Sequence, residues 1–319
     1  MKITMIIEGD EMNFDKKEYE AYLFVHFIHK DESRADLEQV YFSVSKDGLR
    51  WETLNEKKPI LTSTLGDFGV RDPFIIRSPK ENKFYIIGTD LSMYHRKDWD
   101  EVQKTGSQHI VVWESEDLIN WSEQRLIKVG PETAGCVWAP EAIYDKEADD
   151  FLVFWASREN FGLEKHRIYY SKTKDFINFT APKIYIEREN HIIDTTIIEE
   201  DGKYYRFSKD ETVKTITVEV SEALLGEFTP LNTNLKNIIG VEGPACFKIK
   251  GEDKWCLLLD HYAIEKKYVP YYTTDLKTAQ FTKSPEDLDI PVNSKHGGVM
   301  PITIDEYNAV VQAYGKRSI

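Results

Sequence analysis

Three acidic residues each stand beside a short apolar run. Asp72 lies in Gly69-Val70-Arg71-Asp72-Pro73-Phe74-Ile75-Ile76, Asp194 in Ile192-Ile193-Asp194-Thr195-Thr196-Ile197-Ile198, and Glu242 in Val241-Glu242-Gly243-Pro244-Ala245-Cys246-Phe247. A polar group left unpaired beside a buried strand costs about 2–7 kcal/mol, so acids at such places are expected to be used. Carboxylates that converge cannot all ionise easily, and one pKa rises. Hydrolysis of a glycosidic bond with inversion needs that asymmetry. A protonated acid delivers a proton to the leaving oxygen, while an ionised base activates a water across a gap of ~6.5–9.5 Å. Glu141, in Trp138-Ala139-Pro140-Glu141, and His296, in Lys295-His296-Gly297-Gly298, stand at two further points of the same pattern and are expected to shape the pocket. Phe74 and Trp138 are the aromatic candidates for substrate binding, although single aromatics such as Phe74 and Trp155 are more often core in a propeller, which weights Trp138 alone towards the site. Each residue also has a structural reading: Asp72 paired with Arg71, Asp194 capping a turn, His296 simply buried.

These residues need elements that bring them together. The chain repeats a unit of a first strand near a Pro, a Tyr/Phe-rich second strand, a third strand, and a closing Ser/Thr-x-Asp turn followed by an aromatic residue. One copy runs Asp72 to Arg77, Lys83 to Thr89 and His109 to Ser115, with Asp117 and Trp121 at its turn. Further copies open at Ala139-Pro140-Glu141, at Asp194 and at Glu242. Lys295 to Ile302 reads as a fifth first strand with no unit after it. The missing strands are at the other end of the chain, Tyr22 to Ile28 and Gln39 to Ser45, with the turn Ser45-Lys46-Asp47-Gly48 and Trp51. The expected fold is all-β, a five-bladed β-propeller whose first blade is closed by the C-terminal strand, spanning 1–319 as one catalytic domain. A β-sandwich would leave the split unit unexplained. Thr303-x-x-Glu306 is a capping box, which predicts one short C-terminal helix over Asp305 to Tyr314 with Gly315 as its C-cap.

Composition narrows the chemistry. The 319 residues are 41% hydrophobic and 13% aromatic, which is enough for a core without disulfides. Lys and Arg total 41 against 55 Asp and Glu, a net charge of −14. That argues against nucleic acid, anionic membranes and polyanionic substrates, and favours a neutral one. Cys136, Cys246 and Cys256 have no zinc spacing. Cys246 and Cys256 read as buried thiols. No apolar run approaches the ~20 residues of a membrane span. The first residues, interrupted by Lys2, Glu8, Asp10 and Glu11, do not read as a secretory signal. The expectation is a cytoplasmic protein of undetermined oligomeric state.

The order Arg71-Asp72-Pro73, Trp138-Ala139-Pro140-Glu141, Ile193-Asp194, Glu242-Gly243-Pro244 and His296-Gly297 resembles glycoside hydrolase family 43 over nearly the whole chain, from about Tyr22 to Ile304. The resemblance implies inverting hydrolysis with Asp72 as general base, Glu242 as general acid and Asp194 as the residue that orients the acid and tunes its pKa. It implies α-L-arabinofuranosides or β-D-xylosides as substrates. Two departures stand out: Glu141 where the family often has Asp, and Thr195-Thr196 after Asp194 in place of Pro or Gly. No cofactor is expected. Family members hold an ion or a water near the late His, so a structural Ca²⁺ or Na⁺ beside His296 is allowed, although no loop has calcium-site spacing. The loops Leu91 to Gln108 and Arg158 to His166 would shape the rim through Tyr94, His95, Trp99 and Phe161. A cytoplasmic enzyme meets short oligosaccharides, which favours exo action over an endo-acting arabinanase. A retaining fructosidase-type propeller needs an earlier nucleophilic Asp motif, and none precedes Asp72. A non-catalytic sugar-binding propeller would not need all the acids.

Overall fold

The computed structural model describes residues 18–29, 33–160, 164–265, 267–284 and 289–315. Phe161 and the N-terminal segment read above as lacking a signal lie outside them. The described strands form five four-stranded antiparallel sheets. Blade I contains β1 (Ala21–Ile28), β2 (Tyr41–Ser45) and β3 (Glu52–Thr53). Blade II contains β4 (Val70–Arg77), β5 (Phe84–Asp90), β6 (His109–Ser115) and β7 (Arg125–Lys128). Blade III contains β8 (Trp138–Asp145), β9 (Asp150–Arg158), β10 (His166–Thr173) and β11 (Lys183–Ile186). Blade IV contains β12 (Ile192–Glu200), β13 (Lys203–Asp210), β14 (Thr215–Ser221) and β15 (Thr229–Pro230). Blade V contains β16 (Glu242–Lys248), β17 (Trp255–Asp260), β18 (Tyr268–Thr273) and β19 (Thr282–Lys283). The last strand, β20 (Ser294–Ile302), pairs with β1 from Ala21↔Ile302 to His26↔Gly297 and completes blade I. The ring is closed as the split repeat predicts, and closure leaves only short outer edges exposed.

The second strands explain why the blades stack. Phe84–Asp90 and Trp255–Asp260 are buried at every position, because both faces of each strand meet a neighbouring blade. Such strands read as continuous apolar runs without alternation. Four of the closing turns are stapled by one carboxylate each, and that of blade IV by the Ser221 hydroxyl, which accepts from the Ala223 N–H. Asp47, Asp117 and Asp175 accept from the backbone N–H groups two and three residues on, at 2.7–2.9 Å, and blade V uses Asp275 in the same way toward Lys277. This local bonding is the mechanism behind the Ser/Thr-x-Asp signal.

The inner strands carry the feature that builds the site. In β4, β8, β12 and β16 the register slips at Arg71/Phe74, Trp138/Glu141, Ile193/Thr195 and Glu242/Ala245. Each slip holds one left-handed residue: Asp72 (φ 49), Ala139 (φ 46), Asp194 (φ 47) and Gly243 (φ 54). A bulge of this kind bends the strand and re-aims its side chains. The sequence placed Asp72, Glu141, Asp194 and Glu242 at equivalent points, and here the structure corrects it. Asp72 and Asp194 are equivalent, whereas Glu242 stands one residue before its bulge and Glu141 two residues after. Gly243 is glycine for a second reason besides its φ, since a Cβ there would lie 2.8 Å from the His296 Cβ.

The C-terminal helix, α3 (Ile304–Tyr314), starts at Thr303 with both halves of the capping box formed. Gly315 ends it with φ −68, so the stop is not the left-handed cap that a glycine suggested. Cys136 and Cys256 are buried thiols, while Cys246 is only partly covered; all three are unpaired.

Candidate active site

The bulged ends of the inner strands open into a cavity of about 720 Å³ lined by Asp72, Asp194, Glu242, Trp138, Lys209 and His296 among others. On one side His296 is the centre. Its Nδ1 lies 3.5 Å from Asp72 Oδ1 and 4.0 Å from Asp194 Oδ1, and its Nε2 lies 3.6 Å from Glu141 Oε1. Burial works against a charged imidazole, but Asp72, Glu141 and Asp194 outweigh it and hold the His296 pKa well above its ordinary value. The cation acts in turn on the acids. Burial pushes Asp72 up, yet His296, Arg71 and the Thr89 hydroxyl together pull it below the usual carboxylate value. Thr89 Oγ1, in the same blade, donates to Asp72 Oδ2 at 2.9 Å while accepting from the Ala139 N–H of blade III at 2.8 Å, which links the carboxylate to the neighbouring blade. Burial raises Glu141 despite His296, and raises Asp194 to about 7, with repulsion from Glu242 and Asp72 adding to the effect. Asp194 Oδ2 also accepts from the Gly243 N–H at 3.1 Å, which ties it to the strand that carries Glu242.

On the other side Lys209 is the centre. It is the last residue but one of the second strand of blade IV, opposite Ile193, and its side chain is 3% exposed. Nζ lies 2.7 Å from Glu242 Oε2 and 2.6 Å from Glu211 Oε2, and 4.6 Å from the Tyr262 ring centre. Burial opposes the ammonium, but Glu242, Asp194 and Glu211 raise it well above the ordinary lysine value. Glu242 pairs in register with Asp260, whose two oxygens each accept from Lys295 Nζ at 2.9 Å. Burial and Glu242 raise Asp260 to about 6 against the pull of Lys295.

The wall is aromatic. Trp138 stacks on His166 at 5.3 Å and meets Trp99 edge to face at 6.3 Å. The Arg71 guanidinium lies over both Phe27, at 4.5 Å, and Trp99, at 5.0 Å. Trp99 opens α2 (Trp99–Val102), and the neighbouring α1 (Met93–Arg96) is anchored by buried Glu38. Glu38 accepts from Arg71 Nη1 at 2.7 Å and from Ser92 Oγ and the Tyr94 N–H at 3.1 Å each. One carboxylate of blade I therefore holds both the residue before Asp72 and the loop that carries Trp99.

Of the residues singled out in the sequence, Asp72, Asp194, Glu242, Trp138 and His296 line one cavity, with Glu141 just beneath against His296. Phe74 does not reach it. The bulge at Asp72 sends Phe74 to the packing between blades II and III, beside Ile76 and against buried Ile87. Trp155 is core. In the rim loop Trp99 lines the cavity, while His95 lines a separate shallow surface hollow with Phe68. Sequence reasoning missed Lys209, Asp260, Lys295, Glu38 and His166. The available signal was a charged residue at or next to the end of a second strand, as in Ser208-Lys209 and Leu259-Asp260, because those ends reach the same mouth. Among the described residues no group of three or more His, Cys, Asp or Glu is arranged to hold a metal ion. His296 fills the space between the acids with its own ring, which does not fit an oxygen cage for calcium at that point.

Residues 17–308 match a family described as a probable glycosyl hydrolase domain, related to family 43. The chain belongs to this family. An α-L-arabinofuranosidase of Bifidobacterium longum subsp. longum is 29% identical over 74% of this chain. The match covers 26% of that relative, so the chain spans about a quarter of its length. Among solved structures, an α-L-arabinanase of Cellvibrio cellulosa complexed with arabinohexaose has a TM-score of 0.54 at 14% identity, over 80% of this chain and 89% of that one. A family-43 protein of Bacillus licheniformis also has a TM-score of 0.54, at 13% identity, over 89% of this chain and 51% of that one. Both share the fold.

Proposed function

We propose that the protein is an inverting, exo-acting glycosidase that releases L-arabinofuranose or D-xylose from short neutral oligosaccharides. Asp72, kept ionised by His296, Arg71 and Thr89, takes a proton from water as the water oxygen attacks the anomeric carbon. Glu242 gives its proton to the glycosidic oxygen as the bond to carbon breaks. Asp194, bonded to the Gly243 N–H, orients the acid and repels negative charge beside it. The observation that carries this reading is that Asp72 and Glu242 open into one cavity while each is held by a different cation. A neutral substrate is supported by the lining itself. Arg71 is matched by Glu38, Lys295 by Asp260, and Lys209 by Glu211 and Glu242, so none of these three cations is left open for an anionic ligand. The Trp99 loop, which walls one side, supports exo cleavage, and the arabinose reading draws on the name of the Bifidobacterium relative. A cytoplasmic site of action is in keeping with three unpaired thiols. A panel of nitrophenyl glycosides tests the reading. Arabinofuranoside or xyloside turnover, lost in Asp72→Ala, supports it; no turnover of either, or unchanged rates in Asp72→Ala and Glu242→Ala, would defeat it.

A further inference from the structure

Glu242 must hold a proton before bond cleavage and carry a negative charge after it, yet an ammonium stands 2.7 Å from its Oε2. Standing alone, that ammonium would favour the charged carboxylate too early. It does not stand alone, because Lys209 Nζ is also 2.6 Å from Glu211 Oε2. Glu211 has a second cation of its own, Lys214, within ion-pair contact. It can therefore release Lys209 without being left uncompensated. The other groups facing Glu242 are Asp194 from β12, Asp260 and Tyr262 from the end of β17 and the turn after it, and Lys295 and His296 from β20. Lys295 is occupied by both oxygens of Asp260, and His296 by the acids on its own side. Among the described residues, Lys209 is thus the cation in direct ion-pair contact with Glu242.

We infer that Lys209 is a positioning residue for the acid step, resting on Glu211 while Glu242 is protonated and moving its weight to Glu242 as the proton leaves. The inference rests on the assignment of Glu242 as general acid. The proton passes from Glu242 to the glycosidic oxygen, that oxygen keeps the electron pair of the breaking bond, and Lys209 stays protonated throughout. The stabilisation grows with the charge on Glu242, so it favours the transition state over the bound substrate.

The test uses two variants and two substrates. Lys209→Met should lower kcat roughly 10- to 100-fold on a natural disaccharide, and far less on a nitrophenyl glycoside, whose leaving group needs little protonation. Glu211→Gln should move the alkaline limb of the kcat/KM pH profile to lower pH, because the ammonium then serves Glu242 alone; Lys209→Met should move it the other way. Equal losses on both substrates, or pH limbs that do not move in opposite directions, would overturn the inference. If Lys209→Met does not fold, the direction of the Glu211→Gln shift decides. Glu242→Ala separates the two levels. If it lacks the leaving-group dependence, the acid assignment falls and the inference with it; if it shows the dependence and Lys209→Met does not, the inference alone falls.

Discussion

Around His296 one imidazolium faces three carboxylates, Asp72 at 3.5 Å, Glu141 at 3.6 Å and Asp194 at 4.0 Å; around Lys209 one ammonium faces two, Glu211 at 2.6 Å and Glu242 at 2.7 Å. The first group is the more buried, with side-chain exposures of 16% for Asp72 and 11% for Asp194 against 30% for Glu242. Three acids on one cation cannot all be charged in a low dielectric. Asp194 and Glu141 are raised and so take up a proton more readily, while Asp72, with Arg71 and Thr89 as further support, is lowered. The Lys209 side has a cation to share and a solvent-facing acid. In the proposed mechanism, one half of the cavity keeps the base ionised and the other lets the acid change its charge.

The comparison can be broken at several points. Replacing the base should have the largest effect: Asp72→Ala is expected to lower kcat by about 10⁴ with any leaving group, since Asp194 and Glu141, the acids that share His296 with it, are both raised. Steady-state assays on nitrophenyl and natural glycosides check this. His296→Gln should come next. Removing the shared cation lets burial raise Asp72, so the acidic limb of kcat/KM should move to higher pH, with roughly a 10²-fold loss near neutrality. A limb that stays put would mean that Arg71 and Thr89 suffice. Trp99→Ala touches the wall and, of the charged groups, Arg71, but neither His296 nor Lys209. It should raise KM roughly tenfold, with kcat nearly unchanged, which initial-rate measurements on a disaccharide can separate.

The smallest effect is on stability. Burial raises Asp194 to about 7 from 3.8, so across that window the folded protein holds a proton that the unfolded chain releases. Its contribution is fully present below 3.8 and is lost as pH rises through about 7. Asp72, lowered, contributes with the opposite sign: its stabilisation is fully present above 3.8 and is lost as pH falls from there through its lower folded value. Asp194→Asn should therefore flatten the decline of Tm between weakly acidic and neutral pH, and Asp72→Asn should flatten the loss at low pH. Calorimetry across that range reads both.

Much of this was legible in the sequence because it is local. The Asp-centred turns, the capping box at Thr303 and the orphan strand at Lys295 to Ile302 carry their signals within a few residues, and together they specify the closed ring. The bulges carry none apart from Gly243, because Asp72, Ala139 and Asp194 adopt left-handed backbone without being glycine. The offset of Glu242 and Glu141 from Asp72, and the diversion of Phe74 into the core, were hidden for that reason. Lys209, Asp260 and Glu38 were missed because motif reading followed only the first strand of each blade. Their roles depend on which second-strand ends and rim loops meet across blades, a long-range fact. The charge of His296 is likewise set by three acids distant in sequence.

The central claim is that Asp72 activates water on one face of the sugar while Glu242 protonates the departing oxygen on the other. Following the anomer first released from an arabinofuranoside or xyloside by proton NMR tests it most directly. The account predicts the configuration opposite to that of the substrate, relaxing later by mutarotation; first appearance of the same configuration would contradict it.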